Sequence, residues 1–319
     1  MKRIGIFLAL TFGVTWAMAF GLMAAGGTAN PLAIVVFSLF MLVPALASLA
    51  TRLITRQGFG NLMLKPNFRR GWRQYLLAWF LPSALIAVGA VVYFLLWPSQ
   101  FDPSMTAILD VAQKQVAATG QNLPQEALRA IMLAQLVGGL FLAPVLNIIT
   151  TTGEELGWRG YLLPGLMERF SPRVATLITG VIWGLWHAPM IAMGHNYGLG
   201  YPGAPWWGIL AMVVFCVFMG SIFSWVTLRS GSMLPAAVGH GALNGMAAAA
   251  SYFLVAGQGN PFLGPLPTGI VGGIGFVVAG IVCFVLLGRK VGPQAIEPEP
   301  EQEPAPAEEP LGPVPTAEA

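Results

Sequence analysis

The chain has very little charge for its length. Only 9% of its 319 residues are Asp, Glu, Lys or Arg, whereas 56% are hydrophobic. Soluble domains carry about 25% charged residues, so this composition excludes an ordinary soluble domain and indicates a polytopic helical membrane protein. Only two cysteines occur, Cys216 and Cys283, both within apolar runs, so a disulfide framework is not expected.

Carboxylates are scarcer still in most of the chain. Seven of the 13 Asp and Glu residues lie between residues 297 and 318, which leaves six for the rest of the sequence. Residues 291–319 are rich in Pro, Glu and Ala, and they have too little apolar surface to offset the entropy of ordering. We therefore predict a disordered acidic cytoplasmic tail at 291–319 and a membrane-embedded domain at 1–290.

Long apolar runs supply the predicted membrane-spanning elements. A helix needs roughly 20 predominantly apolar residues to cross a bilayer. Runs of suitable length occur at 4–25, 31–50, 74–97, 131–150, 175–194, 207–228, 233–255 and 268–287. The sequence predicts an all-α fold, a polytopic membrane bundle of about eight transmembrane helices. One sizeable external loop follows the third span, with a short helix expected near 105–118.

Basic residues lie almost entirely on one side of these spans. With the N-terminus in the cytoplasm, fourteen Lys and Arg residues fall inside and only Lys114 and Arg129 fall outside. Under the positive-inside rule this asymmetry predicts cytoplasmic N- and C-termini. We expect a multi-pass protein of a bacterial inner (plasma) membrane, in contact with the lipid bilayer and with no nucleic acid as a partner.

Two of the six carboxylates, Glu154 and Glu155, stand side by side at the end of a long apolar stretch. A carboxylate in or beside hydrocarbon costs several kcal/mol, so such a group is seldom kept without a partner or a task. In a continuous helix Glu155 and Arg159 are i,i+4 neighbours able to pair, while Glu154 points about 100° away. The alternative is an ordinary ion pair at a cytoplasmic helix end.

Two of the three histidines, His187 and His240, fall within predicted spans. An isolated His in an apolar helix is most often a hydrogen-bonded structural residue, but the joint occurrence with Glu154 favours a site. His240 shares a helix face with Asn244, as does His187 with Trp183. Trp183 and Trp186 are candidates to line a substrate cavity, although Trp in a span is more often packing or an interface anchor.

Helix depth bears on whether these groups can meet. Counted from the cytoplasmic helix ends at about 1.5 Å per residue, His240 lies roughly 10 Å deep and His187 roughly 18 Å deep, with Glu154 shallower than both. Convergence therefore requires tilted helices, a later start of the fifth span, or a fourth helix whose end enters the bundle.

The chemistry of this set suits the activation of water. A shielded Glu acts as a general base, a neutral imidazole positions water or ligates a metal, and an Asn amide donates to an oxyanion. Peptide hydrolysis needs these three functions. The soluble zincin pattern His-Glu-x-x-His is absent from the sequence.

Three ordered motifs within 153–244 resemble the CPBP family of intramembrane proteases, the ABI-type family of CAAX prenyl endopeptidases and bacteriocin-processing or immunity proteins. They are Glu154-Glu155-x-x-x-Arg159, Trp183-x-x-x-His187 and His240-x-x-x-Asn244. The resemblance implies an α-helical bundle of eight spans with a site open to the cytoplasmic side and the membrane. The family commonly has Phe at the position of Trp183. This difference affects the shape of the cavity, and therefore the choice of substrate, more than the chemistry.

The resemblance also implies roles for individual residues. Glu154 is the base that activates water and His187 assists it. His240 and Asn244 bind the scissile carbonyl and its oxyanion, and Glu155 and Arg159 support the site. The family is usually labelled metalloprotease, so Glu154, His187 and His240 are the candidate ligands of a catalytic zinc with an open fourth position. Activation of water by Glu154 and His187 without a metal is the alternative.

The sequence thus predicts an intramembrane endopeptidase that hydrolyses a peptide bond near the cytoplasmic membrane interface. Its expected substrate is a membrane-associated peptide or lipoprotein. Two other functions stay open. One is a proton-coupled carrier, because Glu and His within spans also serve as proton relays. The other is a non-catalytic immunity or accessory protein that keeps the fold without the activity.

Overall fold

A computed structural model describes residues 1–288, which fold into helices joined by loops. In chain order the helices are α1 (Lys2–Ala24), α2 (Ala33–Phe40), α3 (Val43–Thr55), α4 (Phe68–Leu96), α5 (Thr106–Ala117), α6 (Gln125–Phe141), α7 (Ala143–Leu146), α8 (Ile148–Gly157), α9 (Leu163–Met167), α10 (Pro172–Trp186), α11 (Ala188–Ala192), α12 (Trp206–Ser230), α13 (Leu234–Met246) and α14 (Ile274–Leu286). The predicted all-α class and helical membrane bundle are confirmed. The predicted tail at 291–319 lies outside the described residues.

Five helical segments of the described chain are long and apolar enough to cross a membrane. They are Lys2–Ala24, Ala33–Thr55, Phe68–Leu96, Pro172–Ala192 and Trp206–Ser230, and they match the first, second, third, fifth and sixth predicted spans. The total of about eight spans stays a prediction.

The other three predicted spans are not continuous helices. The run 131–150 is divided among α6, α7 and α8, where Pro144 stands in the first turn of α7 and cannot continue the preceding helix. The runs 233–255 and 268–287 contain the 13-residue helices α13 and α14. Residues 264–273, rich in Gly and Pro, delay the start of α14.

Helix α8 runs through the interior of the bundle, and every residue from Gly153 to Leu163 is buried. Gly153 and Gly157 lie one turn apart, and their bare face rests on the junction of α2 and α3. A Cβ on Gly153 would lie 2.8 Å from the Met41 carbonyl oxygen, and one on Gly157 would lie 2.9 Å from that of Pro44. The fourth predicted span therefore continues past residue 150 into the bundle, which is one of the three ways in which the candidate residues could meet.

Helix α10 packs along α12 through a second pair of glycines. A Cβ on Gly180 would lie 2.8 Å from the Val217 Cα, and one on Gly184 would lie 2.4 Å from the Val213 Cα. Small residues allow helix backbones to approach each other closely. These two glycines therefore set the distance between α12 and the helix that carries Trp183.

One end of the bundle, called here the basic end, is formed by the N-terminus and the loops 56–67, 168–171 and 231–233. The Asn67 Nδ2 donates a hydrogen bond to the Gly231 carbonyl oxygen at 2.9 Å, which joins two of these loops. Arg3 pairs with Glu168. Eleven basic residues lie at this end or within two helical turns of it: Lys2, Arg3, Arg52, Arg56, Lys65, Arg69, Arg70, Arg73, Arg169, Arg173 and Arg229.

The opposite end, called here the loop end, is formed by the loops 25–32, 97–105, 193–205 and 247–273. The Tyr197 hydroxyl donates a hydrogen bond to the Thr268 carbonyl oxygen at 3.3 Å, which joins two of them. Of the described basic residues, Lys114 and Arg129 alone belong to this side. Helix α5 confirms the short helix predicted near 105–118.

We expect Gly184→Ala to destabilise the protein by about 1–3 kcal/mol, because the added methyl group forces α10 away from the α12 backbone. Thermal unfolding of the purified protein in detergent measures the effect. The matched control is Gly13→Ala on α1, where a Cβ meets nothing within 4 Å and alanine favours the helix. Equal unfolding temperatures for the two variants would contradict the proposed contact.

Candidate active site

Glu154 lies on α8 and is only 2% exposed. Because its neighbour Gly153 faces the α2–α3 junction, Glu154 points about 100° away from that contact. Its Oε1 accepts a hydrogen bond from the Trp183 Nε1 at 2.5 Å. The sequence predicts Trp183 as a cavity-lining or packing residue and not as the hydrogen-bond donor to Glu154. One property of the sequence could have indicated this hydrogen bond. A buried indole N–H usually finds an acceptor, and an apolar bundle offers few acceptors besides Glu154.

Glu155 and Arg159 form the expected i,i+4 pair, with 2.9 Å between Glu155 Oε2 and Arg159 Nη1. Both residues are fully buried. Arg159 belongs to a π-helical turn, Trp158–Leu162, which continues α8. Turns of this kind inside helices are frequent at functional sites. The Arg159 guanidinium lies 4.4 Å from the centre of the Trp183 ring, so the cation is stabilised by an aromatic face as well as by Glu155.

His240 on α13 contacts the same carboxylate. Its Nδ1 lies 2.9 Å from Glu155 Oε1, and its ring packs against Phe223 and Trp183 at 5.7 and 5.5 Å between ring centres. Because an ionised carboxylate only accepts hydrogen bonds, Nδ1 carries the proton in this contact. Nε2 is then the ring nitrogen that remains available for a contact in the site.

His187 lies where α10 gives way to α11. Its Nδ1 lies 2.8 Å from the Trp183 carbonyl oxygen. A carbonyl only accepts, so this contact also requires a proton on Nδ1 and leaves Nε2. The neighbouring Trp186 ring is held by a hydrogen bond from its Nε1 to Thr15 Oγ1 at 3.0 Å, and it packs edge-on against His187.

A single cavity of about 320 Å³ joins these side chains. Glu154, His187, His240 and Asn244 all line it, and so do Trp183 and Trp186. Glu155 and Arg159 do not line it and act on it through their contacts. Within this space a water molecule or a peptide carbonyl has access to a carboxylate, two imidazoles and an amide.

Several other lining residues were not predicted as site residues. His195, in the loop 193–205, lines the cavity with its ring 5.5 Å from that of Phe37. Asn196 and Thr268 come from loops at the loop end. No motif marks these positions, because their nearness to the site depends on how the loops fold back over the bundle.

The resemblance implies an opening to the cytoplasmic side and the membrane, and this stays a prediction. The cavity extends towards the loop end, where His195, Asn196 and Thr268 line it, and the N-terminus lies at the basic end. The reason is that α8 carries Glu154 deep into the bundle, with the buried π-helical turn between it and the basic end.

Zinc binding by Glu154, His187 and His240 stays a prediction. Within residues 1–288, no three His, Cys, Asp or Glu side chains are grouped so that they could hold a metal ion. The candidate ligands Glu154, His187 and His240 share the cavity, but each is oriented by a hydrogen bond to Trp183 or Glu155. A catalytic zinc needs three protein ligands at about 2.0–2.2 Å, so this arrangement favours the activation of water without a metal.

We expect Arg159→Met to destabilise the protein by about 3–5 kcal/mol, because it leaves the Glu155 carboxylate buried without its cation. Thermal unfolding in detergent measures this loss, and the double variant Glu155→Gln/Arg159→Met should lose less than the sum of the single variants. The exposed pair at the basic end provides the control, since Arg3→Met should cost less than about 1 kcal/mol. Equal losses for Arg159→Met and Arg3→Met would argue against the buried pair.

Comparison with known proteins points to the segment that contains this site. A family model described as type II CAAX prenyl endopeptidase Rce1-like matches residues 130–246, which include Glu154, His187, His240 and Asn244. A curated relative, CAAX prenyl protease 2 of Methanococcus maripaludis, is 34% identical over 85 residues, which are 27% of this chain and 31% of the relative. The chain thus spans about a third of that relative's length. Over residues 130–246, which contain the three ordered motifs, the chain is therefore similar to CAAX prenyl endopeptidases.

Proposed function

We propose that the chain is an intramembrane endopeptidase in which Glu154 and His187 activate a water molecule for attack on a peptide bond. One observation carries the proposal: Glu154, His187, His240 and Asn244, from three separate parts of the chain, line the same cavity. A general base, a water-positioning imidazole and oxyanion donors are the functions that peptide hydrolysis needs.

The attack begins with a water molecule held between Glu154 and the Nε2 of His187. Glu154 takes a proton from the water while the oxygen forms a bond to the carbonyl carbon of the substrate. The Trp183 N–H keeps one oxygen of Glu154 in place, so the other oxygen is the proton acceptor. The water is thereby converted into a nucleophile at a position set by two different helices.

The developing oxyanion is stabilised from α13. Asn244 donates from its side-chain amide, and His240 in its protonated form donates from Nε2 while Nδ1 stays on Glu155. With Glu154 and Glu155 ionised, the charges of His240 and Arg159 balance the two carboxylates. Collapse of the tetrahedral intermediate breaks the C–N bond, and the proton held by Glu154 passes to the leaving amine.

We further propose that the protein lies in a bacterial inner membrane with both termini in the cytoplasm and acts on membrane-associated peptides or lipoproteins. Eleven basic residues at the basic end against two on the opposite side support this orientation.

We expect Glu154→Gln to lower the turnover of a quenched fluorescent peptide library by about 10²–10⁴-fold, because the amide cannot accept the proton. His187→Ala and His240→Ala should also lower it. The change of Glu154 is isosteric, and its amide oxygen still accepts from Trp183, so unfolding temperatures should match. Glu168→Gln at the basic end is the control and should keep full turnover.

Unchanged turnover in all three site variants would overturn the proposal. Substrate-dependent proton flux in liposomes without any cleavage would instead indicate the carrier, which the same buried acids and imidazoles would also suit.

A separate measurement tests whether the reaction uses a metal. We expect purified, active protein to keep its turnover after dialysis against a chelator and to contain far less than one zinc per chain, because the described residues form no three-ligand group. Stoichiometric zinc, with turnover lost on chelation and restored by zinc but not by magnesium, would contradict the metal-free reaction.

A further inference from the structure

A second cavity, of about 430 Å³, lies at the basic end of the bundle between α1, α3 and α9. It shares no lining residue with the cavity of the candidate active site. Phe7 and Trp158 pack between Tyr161 of this cavity and Trp186 of the candidate active site, so the two spaces are separate. Six of its lining residues are polar: Arg3, Arg52, Gln57, Asn61, Tyr161 and Glu168.

Arg52 is the buried cation of this cavity. It lies in the last turn of α3 and is only 7% exposed. Its Nη1 donates a hydrogen bond to the Gly58 carbonyl oxygen at 3.2 Å, and its Nη2 donates one to the Asn61 carbonyl oxygen at 2.6 Å. Each Nη has a second N–H, and Nε has no hydrogen-bond partner within residues 1–288. The guanidinium therefore has more donors than the described chain satisfies.

The positive charge of Arg52 is not matched by a carboxylate. Arg3 pairs with Glu168, which is the acidic residue among those that line the cavity. No carboxylate of the described chain pairs with Arg52. The other buried arginine, Arg159, has Glu155 for this purpose. Because a buried charge is costly unless it is paired, the cavity around Arg52 favours an anion.

The neutral groups of the cavity suit an anion with several oxygens. The Tyr161 ring centre lies 5.2 Å from the Arg52 guanidinium, and Gln57 Nε2 donates a hydrogen bond to the Tyr161 hydroxyl at 3.0 Å. The amides of Gln57 and Asn61 are further N–H donors at the cavity wall. A guanidinium matches the oxygen geometry of a phosphate.

The position of the cavity also suits a phosphate. The segment Lys2–Ala24 begins beside it and the segment Ala33–Thr55 ends beside it, and both are long and apolar enough to cross a membrane. The ends of membrane-spanning helices lie at the level of the lipid headgroups. Basic pockets between such helices bind phosphate-containing headgroups.

We propose that this basic-end cavity binds a phosphate group, with Arg52 and Arg3 as its cationic partners. An anionic lipid and free phosphate present the same oxygens to the two guanidiniums, so either can be the source. Glu168 competes with the ligand for Arg3. Its side chain is 58% exposed, so it can leave the ion pair at little cost. The site is separate from the proposed catalysis and goes beyond it.

Two phosphate compounds distinguish the sources. Binding is measured on the full-length protein in an uncharged detergent as the rise in unfolding temperature with ligand concentration. Inorganic phosphate is compared with chloride at equal ionic strength, and short-chain phosphatidylglycerol is compared with the matching diacylglycerol. We expect the phosphate compound to raise the unfolding temperature more than its control in at least one comparison. A rise with the lipid alone would identify a headgroup site, and no rise in either comparison would overturn the proposal.

Charge changes in the cavity test where the phosphate binds. Arg52→Gln should raise the Kd at least about tenfold, because it removes a charge-assisted hydrogen-bond partner. Gln57→Glu should also raise the Kd, because the new carboxylate competes for the guanidinium. This second variant keeps Arg52 and its hydrogen bonds to the loop, so it tests the site even where Arg52→Gln does not fold. Glu168→Gln should lower the Kd, because it frees Arg3.

Arg70→Gln is the matched control. It removes the same charge from an exposed side chain at the basic end that does not line the cavity. Its Kd should change less than about twofold, because salt screens an exposed charge. An equal rise in Kd for Arg52→Gln and Arg70→Gln, or an unchanged Kd in both Arg52→Gln and Gln57→Glu, would overturn the proposal. Glu154→Gln should bind phosphate as the unaltered protein does, so this test stands apart from the proposed function.

Discussion

The arrangement of the site depends on one buried carboxylate, that of Glu155. A carboxylate without exposure to water is stable only with a cation and hydrogen-bond donors around it, and here Arg159 and His240 supply them. The first partner comes from the π-helical turn after α8 and the second from α13. The pairing therefore joins two helices far apart in the chain, and it sets the orientation of the His240 ring because it uses the Nδ1 proton.

Trp183 contacts three other groups of the site and fixes their orientation. Its indole N–H holds Glu154, its carbonyl oxygen accepts from His187, and its ring lies against the Arg159 guanidinium. A phenylalanine, which the family commonly has at this position, would keep the ring contact and the backbone contact but not the hydrogen bond to Glu154. This chain therefore orients its proposed base by a bond that a phenylalanine could not make.

The two ends of the bundle differ in charge and in access. The basic end has most of the described cations and a polar cavity of its own, while residues of the loop end line the cavity of the candidate site. The buried turn Trp158–Leu162 forms the barrier between them. A hydrolytic site in a membrane gains from such a barrier, because water can enter from one side without a continuous pore.

Much of this was predictable from composition and spacing. The apolar runs determined a helical membrane bundle because backbone polar groups in lipid must bond within a helix, and the i,i+4 spacing determined the pairing of Glu155 with Arg159. The breaks within three predicted spans and the presence of His195 in the cavity were not predictable, because hydropathy does not report where one segment meets another. The sequence by itself determined which polar side chains had to be paired inside the membrane-embedded bundle. Only the tertiary structure decided that they share one cavity, and that this cavity faces the loop end, because both depend on how far α8 enters the bundle.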